Sequence, residues 1–428
     1  MPKRNSDKKP PAAIKVKSDE TTGFITEIRK YRLITPLYGG GVEPGKADPI
    51  TVVRAAEIRG HLRFWWRATR GGAFNGNLNA MRQREEEIWG SAGGKEKAGP
   101  SKVSIAVIEK PNPGKIVRKV KDNKGHQVDY GDVKSPYGYV AFPLRKTDDK
   151  EAGFVQEGVA FAIEIRYDRK YQKDVQAALW AWETFGGIGA RTRRGFGALQ
   201  REDISTPCHR VVHEIQEGLA EHVVRGHWPE GVPNLGNAKY VLTSIKPTAE
   251  QAWRTLFNAL KNFRQDRKPK MIKGKPRPFG RSKWPEPDEI RRRFGPDGHS
   301  PGHTPTHPVH KFPRGQFGLP IIFKFKDDTK GDPDQTSLEG AGHDRLASPL
   351  ILRPLACSDG AVGLALILQW EPVDADEPYT PPGGLVLKGA PDARQVRSKL
   401  TPEEAQHIPV LKGNPNVLQA FLAYLKGK

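Results

Sequence analysis

A chain of 428 residues with 70 Lys and Arg against 49 Asp and Glu, a formal net charge of +21, is long enough for two or three domains. Its cationic excess suits nucleic acid, an acidic membrane surface or an acidic partner. No run of eighteen apolar residues offers a transmembrane helix, and two cysteines exclude a disulfide framework, so a reducing cytoplasm and no membrane partner are expected.

Residues 1–20 are rich in Lys and Pro, lack the apolar segment of a signal peptide and read as a disordered basic arm. Residues 24–35 carry β-formers in partial alternation and predict a strand that Pro36 ends. A glycine loop, Gly39-Gly40-Gly41, follows. Arg54 then leads into a helical stretch over 57–70 in which Ile58, Leu62 and Trp65 share one stripe. Arg59, Arg63, Arg67 and Arg70 fall on the neighbouring stripe, with Trp66 at the border. No acid alternates with these arginines as an i,i+4 partner, so the ladder is expected to meet phosphate, with bases stacking on a ring. The plain alternative is a solvated helix face over tryptophans that are only core, and for Trp65 core is the expectation.

Residues 84–91 read as a helix ending at Gly90. Residues 103–109 and 139–144 read as strands. Between them, 110–135 reads as a long loop or exposed hairpin with a turn at Asp122-Asn-Lys-Gly125. Residues 160–167 alternate clearly and predict a strand. Val175, Ala178, Leu179, Trp182 and Phe185 then recur at helical spacing over 172–185.

That helix runs into Phe185-Gly-Gly-Ile-Gly-Ala-Arg-Thr-Arg-Arg-Gly-Phe-Gly197, five glycines and three arginines in thirteen residues. Glycine permits positive φ and close backbone approach, and successive N–H groups in such a loop can form a nest for anions. Arg191, Arg193 and Arg194 would add permanent charge with geometry suited to phosphate. Neither a Walker A motif nor a dinucleotide fingerprint fits: Phe196 follows Gly195, and Thr192 stands where a third glycine would be needed. Gly187, Gly189, Arg191, Arg193, Arg194, Gly195 and Gly197 are therefore candidate RNA-binding residues, as are Arg54, Arg59, Arg63, Trp66, Arg67 and Arg70. The bland reading of the loop is a structural turn with solvated arginines.

Residues 200–235 read as a charged connector and 240–245 as the first strand of a second domain. A helix over 249–264 follows, with Trp253, Leu256, Phe257, Leu260 and Phe263 on one face. Residues 261–293 hold thirteen Lys or Arg against four Asp or Glu and read as a flexible basic loop, in which Lys273, Lys275 and Arg281 are candidate RNA contacts. Strands are expected at 319–326, 350–355 and 362–370, a Pro/Gly/Asp linker at 371–395, and a closing apolar helix at 415–426. The element order predicts an α+β chain of two tandem ferredoxin-like (RRM-like) domains with long basic loop insertions. Their bounds would be 21–235, which includes the glycine-rich loop, and 236–428, the second and more diverged.

The glycine-rich loop over 187–197 resembles that of the RAMP superfamily of CRISPR systems. More narrowly, Thr35-Pro-Leu-Tyr-Gly-Gly40, Ile58-Arg-Gly-His-Leu-Arg-Phe-Trp-Trp-Arg67 and Ile88-Trp-Gly-Ser91 resemble the first-numbered RAMP subunits of type III-B (Cmr) effector complexes. The likeness covers roughly residues 24–200. In the second half only 318–323 and 348–353 share it, and the 110–135 and 264–312 insertions depart from the compact pattern. The resemblance implies tandem RRM-like domains and a non-catalytic role in antiviral defence. It also implies guide (CRISPR) RNA, single-stranded target RNA and other Cmr subunits as partners, with contacts near the guide's 3′ end.

Catalytic motifs are thin. His299, His303, His307 and His310 form one dense cluster, but it sits in a Pro/Gly loop with no Cys or carboxylate at ligand spacing, so no metal site and no cofactor are expected. Cys208-His209 with His213, and the lone His343-Asp344 pair, are no stronger. His61 could act as general base in a metal-independent endoribonuclease processing guide precursors, although a packing histidine is the simpler reading. A third possibility is a basic docking scaffold.

Overall fold

The computed structural model describes residues 23–41, 48, 51–91, 99–272, 275–277, 280–295, 303–325, 332–370, 379–381, 383–389 and 393–428. The basic arm and Lys273 lie outside them, as do His299 and the rest of the 264–312 and 371–395 stretches not named here.

The first half runs β1 (Phe24–Leu33), α1 (Ala55–Arg70), α2 (Leu78–Trp89) and β2 (Val103–Asn112). Short strands follow: β3 (Lys115–Val117), β4 (Lys119–Lys121), β5 (Gln127–Asp129) and β6 (Val155–Glu157). It closes with β7 (Ala160–Asp168), α3 (Gln172–Phe185), β8 (Leu199–Arg201) and α4 (Val211–His222). Four strands form an antiparallel sheet in the order β2-β7-β1-β8.

Alternation in β1 explains how the sheet is clothed. Arg29, Tyr31 and Leu33 point to the buried face, while Thr26, Ile28, Lys30 and Arg32 point to solvent. α1 and α3 cover the buried face with Ile58, Leu62, Trp65 and Trp66 from one helix and Val175, Leu179, Trp182 and Phe185 from the other. A buried charge needs a partner. Arg29 finds Glu183 at 2.9 Å, which also accepts from the Tyr31 hydroxyl at 2.6 Å.

The second half runs β9 (Asn234–Leu242), α5 (Ala249–Arg264), β10 (Lys270–Ile272), β11 (Lys275–Arg277), α6 (Glu286–Phe294), β12 (Ile321–Phe323) and β13 (Thr336–Gly340). Then come β14 (Leu350–Cys357), β15 (Gly360–Gln369), β16 (Leu385–Lys388), β17 (Ala393–Val396), α7 (Pro402–Gln406) and α8 (Val417–Leu425). β14-β15-β9 form a three-stranded antiparallel sheet, covered by α5 with Leu256, Leu260 and Phe263 and by α8 with Leu418 and Phe421. A separate sheet, β12-β13-β16-β17, encloses its own small core of Leu338, Leu385 and Leu387 beside Ile290 of α6. The two halves share a core: Ile351, Val362 and Leu364 belong to the same apolar cluster as Trp65 and Trp182.

Several expectations need correction. Residues 139–144 form turns and a short 3-10 segment, not a strand, because Tyr130, Val140, Ala141 and Leu144 fill a satellite core against Trp253 and Phe257. The 200–235 connector contains α4, whose Val211 and Ile215 are buried. The 371–395 linker contains β16 and the start of β17. The basic 261–293 stretch is not a loop throughout. α6 opens with Glu286, Asp288 and Glu289 and closes with Arg291, Arg292 and Arg293, an order that suits the helix dipole.

Candidate nucleic-acid interface

The glycine-rich loop leaves α3 at Gly186 and returns as β8. Its root is shaped by close backbone approaches. The amide of Ile188 donates to Gly197 O at 3.0 Å, and that of Gly197 to Pro36 O at 2.9 Å. Gly197 has φ of 59°, and a Cβ there would stand 1.9 Å from Ile188 O, so glycine is obligatory. Gly189 lies against Tyr38 and the glycine loop at Gly40.

The expected anion nest has an occupant from the chain itself. The Gly189 amide donates to Glu57 Oε1 at 2.7 Å, and the Ala190 amide to Tyr38 O at 2.7 Å. Glu57, in the first turn of α1, was not among the sequence candidates. An acid at a helix N-terminus signals dipole compensation, and only the fold brings it under the loop.

The tip of the loop faces inward. Arg193 lies over the Phe64 ring at 5.4 Å and donates to Ser348 O. Arg194 donates to Leu350 O at 3.0 Å and Phe317 O at 3.4 Å. Trp253 of α5 returns a bond from Nε1 to Arg194 O at 2.7 Å, with its ring against Gly195 and Phe196. Burial lowers the pKa of Arg193 to about 10; burial, then the nearby Arg264 guanidinium, lowers that of Arg194 to about 9. Both remain cations at neutral pH. Their bonding capacity is turned to second-half carbonyls, which corrects the reading of these two as phosphate ligands.

Arg353 of β14 makes the reciprocal contact. It is 1% exposed and donates to Trp182 O at 3.2 Å, Gly186 O at 2.5 Å and Leu199 O at 2.5 Å. Burial lowers its pKa to about 9. Arg353 ties the two ends of the loop to the second half, and sequence reading missed it because one arginine in an apolar strand has no spacing signature.

The α1 ladder is also partly engaged. Arg63 and Arg67 both reach Glu85 Oε1, at 2.6 and 2.5 Å, and Arg70 lies 3.5 Å from Asp174. These acids come from α2 and α3, so the absence of an i,i+4 acid within α1 gave no warning. Trp66 is fully buried and donates to Asp174 Oδ1 at 2.9 Å, so its ring cannot stack on a base; that assignment is corrected. Trp65 is core, as expected. Arg281 is paired with Asp288 at 2.5 Å, and Lys275 lies in β11.

What remains is a cationic notch at the root. Arg191 has left-handed φ of 60° and stands over the exposed Phe142 ring at 4.8 Å. Arg54 donates to Gly40 O, which backs onto Gly189. Buried polar atoms without a hydrogen-bond partner include Nε of Arg54, Arg59 and Arg191, Oε2 of Glu57 and Nε2 of His61, which lies 3.6 Å from Glu57. A buried polar atom left unpaired costs about 1–3 kcal/mol, so these atoms are candidates to meet a ligand or water.

Among the described residues, the histidines of the 299–310 cluster have separate partners. His303 pairs with Asp332 at 2.9 Å, His310 with Glu289 at 2.8 Å, and His307 accepts from the Val309 amide at 3.1 Å.

Residues 30–200, which hold the glycine loop, the two helices beneath it and the four-stranded sheet, match the family model of the RAMP superfamily. The chain is 28% identical over 177 residues to the CRISPR system Cmr subunit Cmr1-2 of Pyrococcus furiosus, 39% of this chain and 90% of that one. It is 26% identical over 151 residues to Cmr1-1 of the same organism, 35% of this chain and 40% of that one. The solved apo structure of Cmr1 from Pyrococcus furiosus aligns at 16% identity over 82% of this chain and 90% of its own, with TM-score 0.47. A chain of the type III-B Cmr-beta complex bound to cognate target RNA aligns at 14% identity over 82% of this chain and 97% of its own, with TM-score 0.45. Among the described residues no helix is long and apolar enough to cross a membrane.

Proposed function

We propose that this chain is a non-catalytic RNA-binding subunit of a type III-B CRISPR effector complex, seating the 3′ part of the guide RNA together with target RNA. The observation that carries the reading is the root of the loop, where Nε of Arg191 lacks a protein partner beside the exposed Phe142 ring and Nε of Arg54 lacks one where that side chain meets Gly40. Guanidinium groups beside an accessible ring suit a single strand, with phosphate on the charge and a base on the ring. The sequence likeness to Cmr subunits supports the assembly and the antiviral role. In this reading the two halves, 21–235 and 236–428, are tandem ferredoxin-like units. The first sheet follows β-α-β-β-α-β order, and the second repeats its first three strands with α5 and α8 as the helices. The partners are guide RNA, target RNA and other Cmr subunits, in the cytoplasm.

The test is a salt titration of single-stranded RNA binding by the purified chain, with the RNA then sized on a gel. Binding that weakens steeply with salt, prefers RNA to duplex DNA and leaves the RNA intact supports the reading. Discrete cleavage in EDTA, lost in His61→Ala, would replace it with an endoribonuclease built on the Glu57–His61 pair. No measurable binding at low salt would leave a docking scaffold.

A further inference from the structure

The chain has only two cysteines, and the fold brings them together. Cys208 sits where the first half turns into α4, just after Pro207. Cys357 ends β14, and the hairpin turn to β15 places Asp359 two residues later. The sulfurs of Cys208 and Cys357 and a carboxylate oxygen of Asp359 all lie within 4.8 Å of one another. Two hydrogen bonds hold the turn against the first half: Asp359 Oδ1 accepts from the Cys208 amide at 2.8 Å, and the Ser358 amide donates to Thr206 O at 3.0 Å. Cys208 is buried, Cys357 half-buried and Asp359 exposed, so the group opens on one side to solvent.

We propose that Cys208, Cys357 and Asp359 bind a thiophilic divalent cation, with zinc as the fitting ion, and that this ion ties the two halves together across their seam. Two sulfurs and one carboxylate oxygen are a donor set zinc accepts, and tetrahedral coordination at its usual bond lengths puts ligand atoms about 3.7 Å apart. Side-chain rotation of about 1 Å closes the present triangle to that spacing. The fourth position falls to solvent, on the side where Asp359 is exposed. Binding releases one proton from each thiol to solvent and forms two zinc–sulfur bonds and one zinc–oxygen bond, with no change of oxidation state.

The experiment uses the full chain, purified under reductant and stripped with a chelator. Zinc is returned at micromolar free concentration, and bound metal is measured by elemental analysis. The expected result is about one equivalent of zinc with about two protons released, a raised Tm, and in the cobalt form a thiolate-to-metal absorption band. Cys357→Ser, at the half-buried position, and Asp359→Asn should each bring bound zinc below about a tenth of an equivalent while circular dichroism stays unchanged. Should Cys357→Ser unfold, Asp359→Asn alone carries the test, since it keeps both thiols. Under a tenth of an equivalent in the parent chain overturns the proposal. So does undiminished zinc binding in both variants. Loss of both titratable thiols in air without metal, reversed by dithiothreitol, would also overturn it, in favour of a disulfide.

Discussion

The root and the tip of the glycine-rich loop carry the same kind of residue and do opposite things. At the root, Nε of Arg191 and Nε of Arg54, which meets Gly40 against Gly189, are buried without protein partners. At the tip, Arg193 and Arg194, only two and three residues on, are turned inward onto carbonyls of the second half. Arginine serves both because its planar fork can satisfy several acceptors at once, whether carbonyl or phosphate oxygens. The lesson is that a cluster of arginines in a glycine-rich sequence is not a single site. Direction is set by where backbone φ turns left-handed, here at Gly189, Arg191, Gly195 and Gly197.

The strongest way to break that contrast is to deform the root itself. Gly197→Ala drives a methyl into Ile188 O, and we expect a loss of more than about 3 kcal/mol of stability, read by urea unfolding. Next is the anchor from the other side. Arg353→Leu removes the donor to the carbonyls of Gly186 and Leu199, while Trp182 O keeps the Gly186 amide, and should cost about 3 kcal/mol, with RNA affinity per folded molecule unchanged. Changing Arg193 and Arg194 together to Ala should cost about 2 kcal/mol, since both are half-buried and bonded, and should leave the salt dependence of RNA binding as it was. Arg54→Glu with Arg191→Glu should do the reverse: Tm nearly constant, RNA affinity at low salt down by about tenfold or more, and a salt slope flatter by about 1.4.

The smallest effect concerns pH and lies away from the loop. Burial alone would raise the pKa of Asp288, but the amides of Thr306 and His307 and the Arg281 guanidinium outweigh it and hold it below the usual carboxylate range. Asp332 is held low in the same sense, against its own burial, by Arg291 and His303. Carboxylates lowered on folding stabilise the folded state above their unfolded pKa, near 4, and that contribution is lost as pH falls through the folded values. Loosening around α6 should therefore appear below about pH 4, before the glycine loop opens, and hydrogen exchange resolved by peptide would show it.

Helices and long strands were legible because their signal is local. α3 and α5 coincide with the predicted 172–185 and 249–264, and β7 with the alternation at 160–167. α1 forms despite Gly60 because tryptophans and leucine on its inner face find a deep core. What failed depended on partners distant in sequence. Glu85 and Asp174 pair with the α1 arginines from other helices, Tyr130 and Leu144 pack beneath Trp253, and Arg353 crosses between halves. In the small sheet β12 falls within the strand expected at 319–326, but β13, β16 and β17 were hidden for a related reason. Those three are four or five residues long and lie among Pro, Gly and charge, which gives no strand signal until they pair.

The central claim is that the loop meets RNA at its root and the rest of the protein at its tip. The most direct test is a salt titration of single-stranded RNA binding with three proteins side by side: the parent, the Arg54→Glu/Arg191→Glu variant and the Arg193→Ala/Arg194→Ala variant, each with its Tm. A flattened slope confined to the root variant and a lowered Tm confined to the tip variant is the expected result. A flattened slope in the tip variant with its Tm unchanged, or a root variant that binds as the parent does, would contradict the account.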